Sequence, residues 1–327
     1  IAVPTPLDEK GSPDLTALLS ACESLKSVLT RPTLVINEST SHPGTLRNLI
    51  SPIINGGNSA ANHLYASAPE RVDPGNKEFG TRNTPRIIGG LTETARDKAI
   101  AFYKTFCDEV IAVSSAEVAE AAKIFENTFR FVNIGLVNEF AQIMGKMKIP
   151  VDEVLEAADS KPYGFMKFHP NVGIGGHCIP VDPMYLQAQA ESIGQPSRYI
   201  ELSSQINENM PDYIIELLSK KTNGVQGKKI QILGVAYKPN ISDTRETPAR
   251  AVIDILRKKG ATVSWHDPLV ESWLGESSSP IDNKVDFGIV LAAHDSLDLS
   301  AWGKSPIYSI NRNSKHPDWR PLLHGEI

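Results

Sequence analysis

The sequence predicts an α/β protein in which two parallel-sheet domains are joined by a long helical middle. Apolar runs of strand length alternate with helical patterns at both ends of the chain, the signature of a parallel sheet with crossover helices. Between them, Ser115–Met147 contains no proline and keeps helical character well past the length of a typical globular helix. The 327 residues leave room for two or three domains at about 150 residues each.

In the first segment, "LTALLSACESLKSVL" (Leu15–Leu29) has helical spacing of apolar residues, and "TLVINEST" (Thr33–Thr40) is a buried-strand run ending in hydroxyls. "PRIIGGL" (Pro85–Leu91) reads as a strand running into glycines, "TARDKAIAFYKTFC" (Thr94–Cys107) as a helix, and "EVIAVSS" (Glu109–Ser115) closes the segment. After the long helix, Pro150 suits the start of a second one through Asp159. A further helix is expected over Ser197–Lys220, broken or kinked near Pro211. "KKIQILGVAY" (Lys228–Tyr237) returns to strand. Thr247–Ala261 follows as a helix with proline at its start and glycine at its end, and "TVSWHDP", "DFGIVLAA" and "PIYSIN" read as further strands. These boundaries predict domains over 1–114, 115–210 and 211–327.

Composition narrows the function classes. Hydrophobic residues make up 41% and charged residues 22%, ordinary for a globular protein. The net charge of −5 offers no basic field for nucleic acid or a membrane surface. No apolar run reaches the roughly 20 residues of a membrane helix. Three widely spaced cysteines, Cys22, Cys107 and Cys178, indicate neither a disulfide framework nor a metal site, so a reduced, cytoplasmic setting is expected.

Four stretches carry chemistry. In "GIGGHCIPVDP" (Gly173–Pro183), Cys178 sits between a glycine-rich turn and Asp182. A lone cysteine is more often a small buried hydrophobe. Here Gly173, Gly175 and Gly176 permit close backbone approach and His177 and Asp182 flank the thiol, a setting that also suits a nucleophile. Lys123 and Asn127 lie four apart, hence on one helix face. That pair reads either as a solvated face or, given its apolar surround, as a buried oxyanion stabiliser. "ESTSHPGT" (Glu38–Thr45) and "SAPERVDPG" (Ser67–Gly75) are surface loops or, beyond the carboxyl ends of strands, ligand loops. "GVAYKPNISDTRETP" (Gly234–Pro248) joins a glycine turn, a helix start, Lys238 and Arg245 into a phosphate-friendly stretch. No G-x-G-x-x-G occurs in the chain.

These stretches, with "VPTPLD" and "AEAAKIFENTFR", resemble the successive blocks of the UDP-glucose/GDP-mannose dehydrogenase family, in register over nearly the whole chain. The resemblance implies two Rossmann-like domains around a central helical region: the remainder of an NAD-binding domain, a central dimerisation region with the cysteine loop, and a nucleotide-sugar-binding domain. It implies oxidation of a nucleotide-sugar C6 alcohol to the acid with two NAD+. Cys178 then matches the nucleophile, trapping the aldehyde as a thiohemiacetal that is oxidised to a thioester. Lys123 and Asn127 match the pair that stabilises the oxyanion and positions substrate. Asp182 matches an aspartate of proton transfer, and Glu70 and Thr40 match groups that handle protons and the hydrolytic water. Gly173, Ile174, Gly175 and Gly176 match the sugar-cradling loop, with Tyr237, Lys238 and Arg312 on the substrate as well. Thr5, Ser39 and Arg245 match residues on NAD. A homodimer through the central helix is implied, with a UDP-sugar substrate, no metal, no nucleic acid and no membrane.

The stretch "KPYGFMKFHPNV" lacks the arginine of UDP-glucose members, and with the two hydroxyl and Glu-Arg loops it looks more like the branch acting on UDP-N-acetylhexosamines. Three other readings stand beside this one: a UDP-glucose or GDP-mannose substrate, a binding protein without catalysis, and a 6-phosphogluconate-type dehydrogenase. The last two have no use for a nucleophilic thiol. The chain opens on Ile1, and the expectation is that the first strand and glycine turn of the fingerprint lie upstream. Ile1–Ile327 alone is then expected to bind a UDP-sugar but NAD+ only very weakly.

Overall fold

The computed structural model describes residues 1–56, 62–73 and 75–324. In chain order its elements are α1 (Thr16–Val28), β1 (Leu34–Asn37), a π turn (Leu46–Ile50) running into α2 (Ser51–Asn55), β2 (Leu64–Ser67), β3 (Arg86–Gly90), α3 (Glu93–Tyr103), β4 (Val110–Ala112) and α4 (Ala116–Met147). Then come α5 (Val151–Asp159), α6 (Asp182–Ser192), α7 (Arg198–Thr222), β5 (Lys229–Leu233), α8 (Ala249–Lys258) and β6 (Thr262–His266). The hairpin β7 (Ser272–Trp273) and β8 (Glu276–Ser277) precedes β9 (Phe287–Val290), β10 (Ile307–Ser309) and β11 (Arg320–Pro321). Among the described residues no helix is long and apolar enough to cross a membrane.

The chain divides into two compact units: Ile1–Phe129 with Val181–Ser197, and Arg130–Pro180 with Arg198–Ile327. The central region 115–210 is thus shared between them, and α4 gives its first half to one and its second half to the other. In the first unit the sheet runs β1-β2-β3-β4. β1/β2 and β3/β4 are parallel, but β2 and β3 are antiparallel, with Ala66 opposite Gly90. The chain returns from β2 to β3 without a helical crossover, and an antiparallel neighbour is the pairing that permits this. Leu18, Cys22, Leu46, Ile50 and Ile54 pack one core cluster, and Ile88, Ala99 and Tyr103 belong to a second.

The second unit holds a five-stranded sheet, β11-β10-β9-β5-β6, parallel throughout. α8 shows why it folds there. Ala249, Val252, Ile253 and Leu256 recur at helical spacing and are buried, while Arg250, Asp254 and Arg257 point to water. Each of the three larger apolar side chains contributes about 1.5–3 kcal/mol of transfer free energy.

One sequence expectation narrows. Pro211 does not break α7, which continues through it. The proline is buried, and the carbonyl of Asn207, four residues back, faces Gly173, whose missing Cβ would lie 3.5 Å from it. In addition, β2, α2 and α6 are elements for which the sequence carried no separate expectation.

Candidate active site

In the first unit, the buried face of α4 presents Glu120, Lys123 and Asn127 at helical spacing. Asp182, in the first turn of α6, meets that face: the Asn127 amide donates to its carboxylate at 2.5 Å. Lys123 lies close enough for its charge to act on Asp182, and the Thr40 hydroxyl donates to it. Asp182 is 1% exposed. Burial pushes its carboxyl up to about 6, against the pull of Lys123, Asn127 and Thr40. A carboxyl placed there exchanges protons readily near neutrality. Four expected site residues, Lys123, Asn127, Asp182 and Thr40, therefore form one buried cluster.

Glu120 is the member that sequence reasoning missed. Its carboxylate accepts the Gly44 N–H at 2.7 Å and the Leu46 N–H at 3.0 Å. It thereby pins the start of the helical turn that ends the Ser39–Gly44 loop to α4, one turn before Lys123. A ring closes: Glu120, the loop with Thr40, Asp182, Asn127 and back to α4. Burial raises the Glu120 carboxyl to about 7, against the two amides. Asp182 and Glu120 thus titrate above their ordinary values of 3.8 and 4.5. From those ordinary values up to the raised ones, about 6 and about 7, these two groups hold more protons in the folded chain than in the unfolded one, so their contribution makes stability fall as pH rises. Urea unfolding is expected to give a lower midpoint at about pH 7.5 than at about pH 5.5, with Glu120→Gln flattening the difference. Equal slopes in the two proteins would contradict the assignment.

Glu70 lies on the loop between β2 and β3, near but not in that cluster's hydrogen bonds. It accepts from Arg86 at 2.7 Å and from the amides of Arg71 and Val72. Burial opposes its ionisation, but these donors prevail and hold its carboxyl below the usual range. Behind it, Arg86 sits over the Tyr103 ring, and Tyr103 donates to Glu38. Glu70 is thus a fixed anion with an exposed side, suited to holding a water and unsuited to donating a proton. Pro74, in the same loop, lies outside the described residues.

The two hydroxyl residues expected on the cofactor are placed by backbone contacts. The Glu38 N–H donates to Ile1, and the Ser39 hydroxyl bonds both the N–H and the carbonyl of Val3. Residues 1–3 therefore run beside the end of β1 and deliver Thr5 past the sheet's carboxyl edge, where Thr5 meets the Tyr185 hydroxyl. That edge is where nucleotides bind in α/β sheets, so Thr5 and Ser39 stand where a dinucleotide would lie.

In the second unit, Cys178 lies on a loop built by glycine. A Cβ on Gly175 would stand 2.6 Å from the Tyr237 Cβ and 2.9 Å from the Glu246 carbonyl. Gly176 adopts φ +93° against the Tyr237 ring, and its N–H donates to the Arg245 carbonyl. Tyr237 and the Arg245–Pro248 turn thus form the wall on which Gly173–Gly176 rest. Cys178 is exposed, whereas Cys22 and Cys107 are buried. The Arg245 side chain pairs with Asp243 at 2.6 Å and also stands within electrostatic reach of the Cys178 sulfur. Burial, then Arg245, lowers the His177 imidazole. A neutral His177 can accept a proton. Ile174 and Lys238 are half-buried on these two loops. Arg312 is exposed, with its backbone N–H on Asp152, apart from the contacts that build the cysteine wall.

Three regions of the chain match one family: residues 1–107 its NAD binding domain, 117–209 its central domain and 231–304 its UDP binding domain. A UDP-N-acetyl-D-mannosamine dehydrogenase of Methanocaldococcus jannaschii is 36% identical over 338 residues, covering 100% of this chain and 76% of its own. The chain belongs to the UDP-glucose/GDP-mannose dehydrogenase family. It is also 35% identical to a UDP-N-acetyl-D-glucosamine 6-dehydrogenase of Pseudomonas aeruginosa, over 83% of this chain and 66% of that one. Among solved structures, a UDP-D-ManNAc dehydrogenase from Pyrococcus horikoshii superposes with a TM-score of 0.86 at 31% identity, covering all of this chain and 81% of that one. The chain spans about two thirds to three quarters of the length of these curated relatives. Family membership makes Ile1–Cys107 part of an NAD-binding domain and bears out the two Rossmann-like sheets.

Proposed function

We propose that this protein is an NAD-dependent UDP-N-acetylhexosamine 6-dehydrogenase that makes the uronic acid in two oxidations at one carbon. The observation that carries the reading is Cys178: the one exposed cysteine among the three, on a loop whose glycines pack directly against Tyr237 and the Arg245–Pro248 turn. A single alcohol oxidation needs no thiol, whereas a second oxidation needs the aldehyde held.

NAD+, when bound, supplies the hydride acceptor at each oxidation. Asp182, near neutrality in its protonation and hydrogen-bonded to Asn127 and Thr40, takes the proton of the C6 hydroxyl as the alcohol is oxidised. The Cys178 thiolate then adds to the aldehyde carbon, and Lys123 and Asn127 stabilise the oxyanion of the thiohemiacetal. Loss of the second hydride leaves a thioester on Cys178. Water held by the Glu70 and Thr40 loops adds to it, the tetrahedral intermediate expels thiolate, and the carboxylate product forms. Gly173–Gly176 and Ile174 cradle the sugar, while Tyr237, Lys238 and Arg312 face the nucleotide. Thr5 and Ser39 line the dinucleotide. Arg245 serves its pyrophosphate, a role that requires it to exchange Asp243 for phosphate.

The substrate branch rests on the stretch without arginine before the cysteine loop and on relatives named for UDP-N-acetylmannosamine and UDP-N-acetylglucosamine. A homodimer through α4 is favoured by one stripe of exposed apolar residues, Val118, Phe125, Phe129, Leu136, Ile143 and Met147, recurring along a single face. A reducing cytoplasm keeps the exposed thiol reduced.

The test is a substrate panel with NAD+: both UDP-N-acetylhexosamines, UDP-glucose and GDP-mannose. Turnover is expected only with the acetylated sugars, with two NADH formed per acid. One NADH per product, with aldehyde released, would refute the two-step scheme.

A further inference from the structure

The loop Val235–Asn240, beyond the carboxyl end of β5, carries Tyr237 and Lys238. Two fully buried side chains outside the site described so far hold its backbone. Asp267, just after β6, accepts the N–H groups of Val235 at 2.8 Å and Ala236 at 3.1 Å on Oδ2, and that of Leu269 on Oδ1. His294, beyond β9, receives the Asn240 N–H on Nδ1 at 2.9 Å, and its Nε2 lies 3.1 Å from the same Asp267 oxygen. Both side chains have no exposed surface. Gly234, at φ +81°, lets the loop start directly against the end of β9, where a Cβ would meet the Ala292 carbonyl at 2.2 Å.

This geometry assigns the tautomer. A backbone N–H can only donate, so Nδ1 of His294 must accept, and the ring proton must sit on Nε2, where it is donated to Asp267. Burial opposes an Asp267 anion, but His294 and the three amides outweigh it and hold its carboxyl below the usual value. A second proton on His294 would set an N–H against the Asn240 N–H and leave a buried donor without an acceptor. The other charged and titratable groups nearby do not replace that acceptor. Asp295 exchanges two hydrogen bonds with the Asn240 side chain and pairs with Lys315. His266 is turned to the Ser279 carbonyl, and Lys238 is on the held loop itself.

We infer that Asp267 and neutral His294 form a buried clamp that positions Tyr237 and Lys238 for the nucleotide sugar. The clamp reaches the thiol through contacts already described: Tyr237 is the wall behind Gly175 and Gly176. These are positioning residues: both side chains are fully buried and act through the backbone of the loop. The inference rests on the proposed reading that this loop meets the nucleotide.

The test compares wild type, His294→Gln and His294→Leu. Glutamine keeps one acceptor and one donor, while leucine keeps neither. Two quantities are measured: hydrogen exchange of a peptide covering Val235–Asn240, corrected for the intrinsic rate, and calorimetric affinity for UDP. His294→Gln should keep both near the wild-type level. His294→Leu should lose both, each by about tenfold or more. Wild-type protection in the leucine variant would overturn the clamp. If the leucine variant does not fold, His294→Gln decides alone: protection and affinity lost with the fold intact overturn the clamp, and both kept support it. Protection that behaves as expected in a protein that never binds UDP would instead refute the nucleotide-sugar reading and leave the clamp standing.

Discussion

Cys178→Ser is expected to abolish uronic acid formation, lowering it by roughly three orders of magnitude or more, while UDP-sugar affinity changes little. Both halves follow from how the loop is built. Its shape comes from backbone: Gly175 and Gly176 against Tyr237, and the Gly176 N–H on the Arg245 carbonyl. None of these contacts uses the sulfur, so a serine keeps them. The chemistry does use it. A thiolate forms within reach of neutral pH, adds to an aldehyde and later leaves from a thioester, whereas an unactivated hydroxyl at the same place does none of these readily. The first oxidation relies on Asp182 rather than the thiol, so a single NADH equivalent with trapped or released aldehyde is the expected residue of activity. Rapid-quench product analysis beside NADH fluorescence reads both. Near-normal acid production by the serine variant would remove the covalent route, whatever its binding.

The architecture was legible wherever a periodic pattern coincided with a buried face. The strand-helix alternation placed β1, β3, β5, β6, β9 and β10, and the uninterrupted run after Ser115 placed α4. Lys123 and Asn127 could be put on one face by spacing alone. Legibility failed where order comes from elsewhere in the chain. α6 carries "DPMYLQAQAES" with no apolar stripe, and it is fixed by single residues, chiefly Tyr185, whose hydroxyl donates to the Pro6 carbonyl. β2 is only four residues long, and two of its side chains, Ala66 and Ser67, are small. Pro211 looked like a break, yet Met210, Ile214, Ile215 and Leu218 around it are buried in the second unit's core, packing that other segments supply.

The site divides in the same way. Cys178 and its glycines announce themselves within eleven residues of sequence. Glu120 does not: its partners are the backbone amides of Gly44 and Leu46, and amides leave no trace in a side-chain pattern. The nearest local signal was an acid one turn before Lys123 on the same buried helix face, a residue that burial alone would exclude unless something paired it. Asp267 and His294 were hidden for a related reason. Each sits at the end of a different strand, and only the parallel sheet brings the ends of β5, β6 and β9 together.

Lys123→Ala is expected to lower kcat by roughly 100-fold or more with a smaller change in KM, the loss seen when an oxyanion donor is removed. Lys123 is 8% exposed, so its ammonium acts in a medium that screens charge far less than water does. Its charge also bears on Asp182. Burial has already raised that carboxyl to about 6, and Lys123 is foremost among the groups that hold it from going higher. Without the lysine, Asp182 keeps its proton to higher pH. If the ionised carboxylate accepts the substrate proton, the acid limb of the kcat profile must therefore move to higher pH in the variant. Lys123→Arg restores the charge but not the shape of the head group, so it should return the limb towards its original place while recovering only part of the rate. A purely structural role for the lysine predicts none of this: stability would fall and the limb would stay. A tenfold rise in KM at unchanged kcat, with the profile unmoved, would assign Lys123 to uniform substrate binding and take the oxyanion away from it.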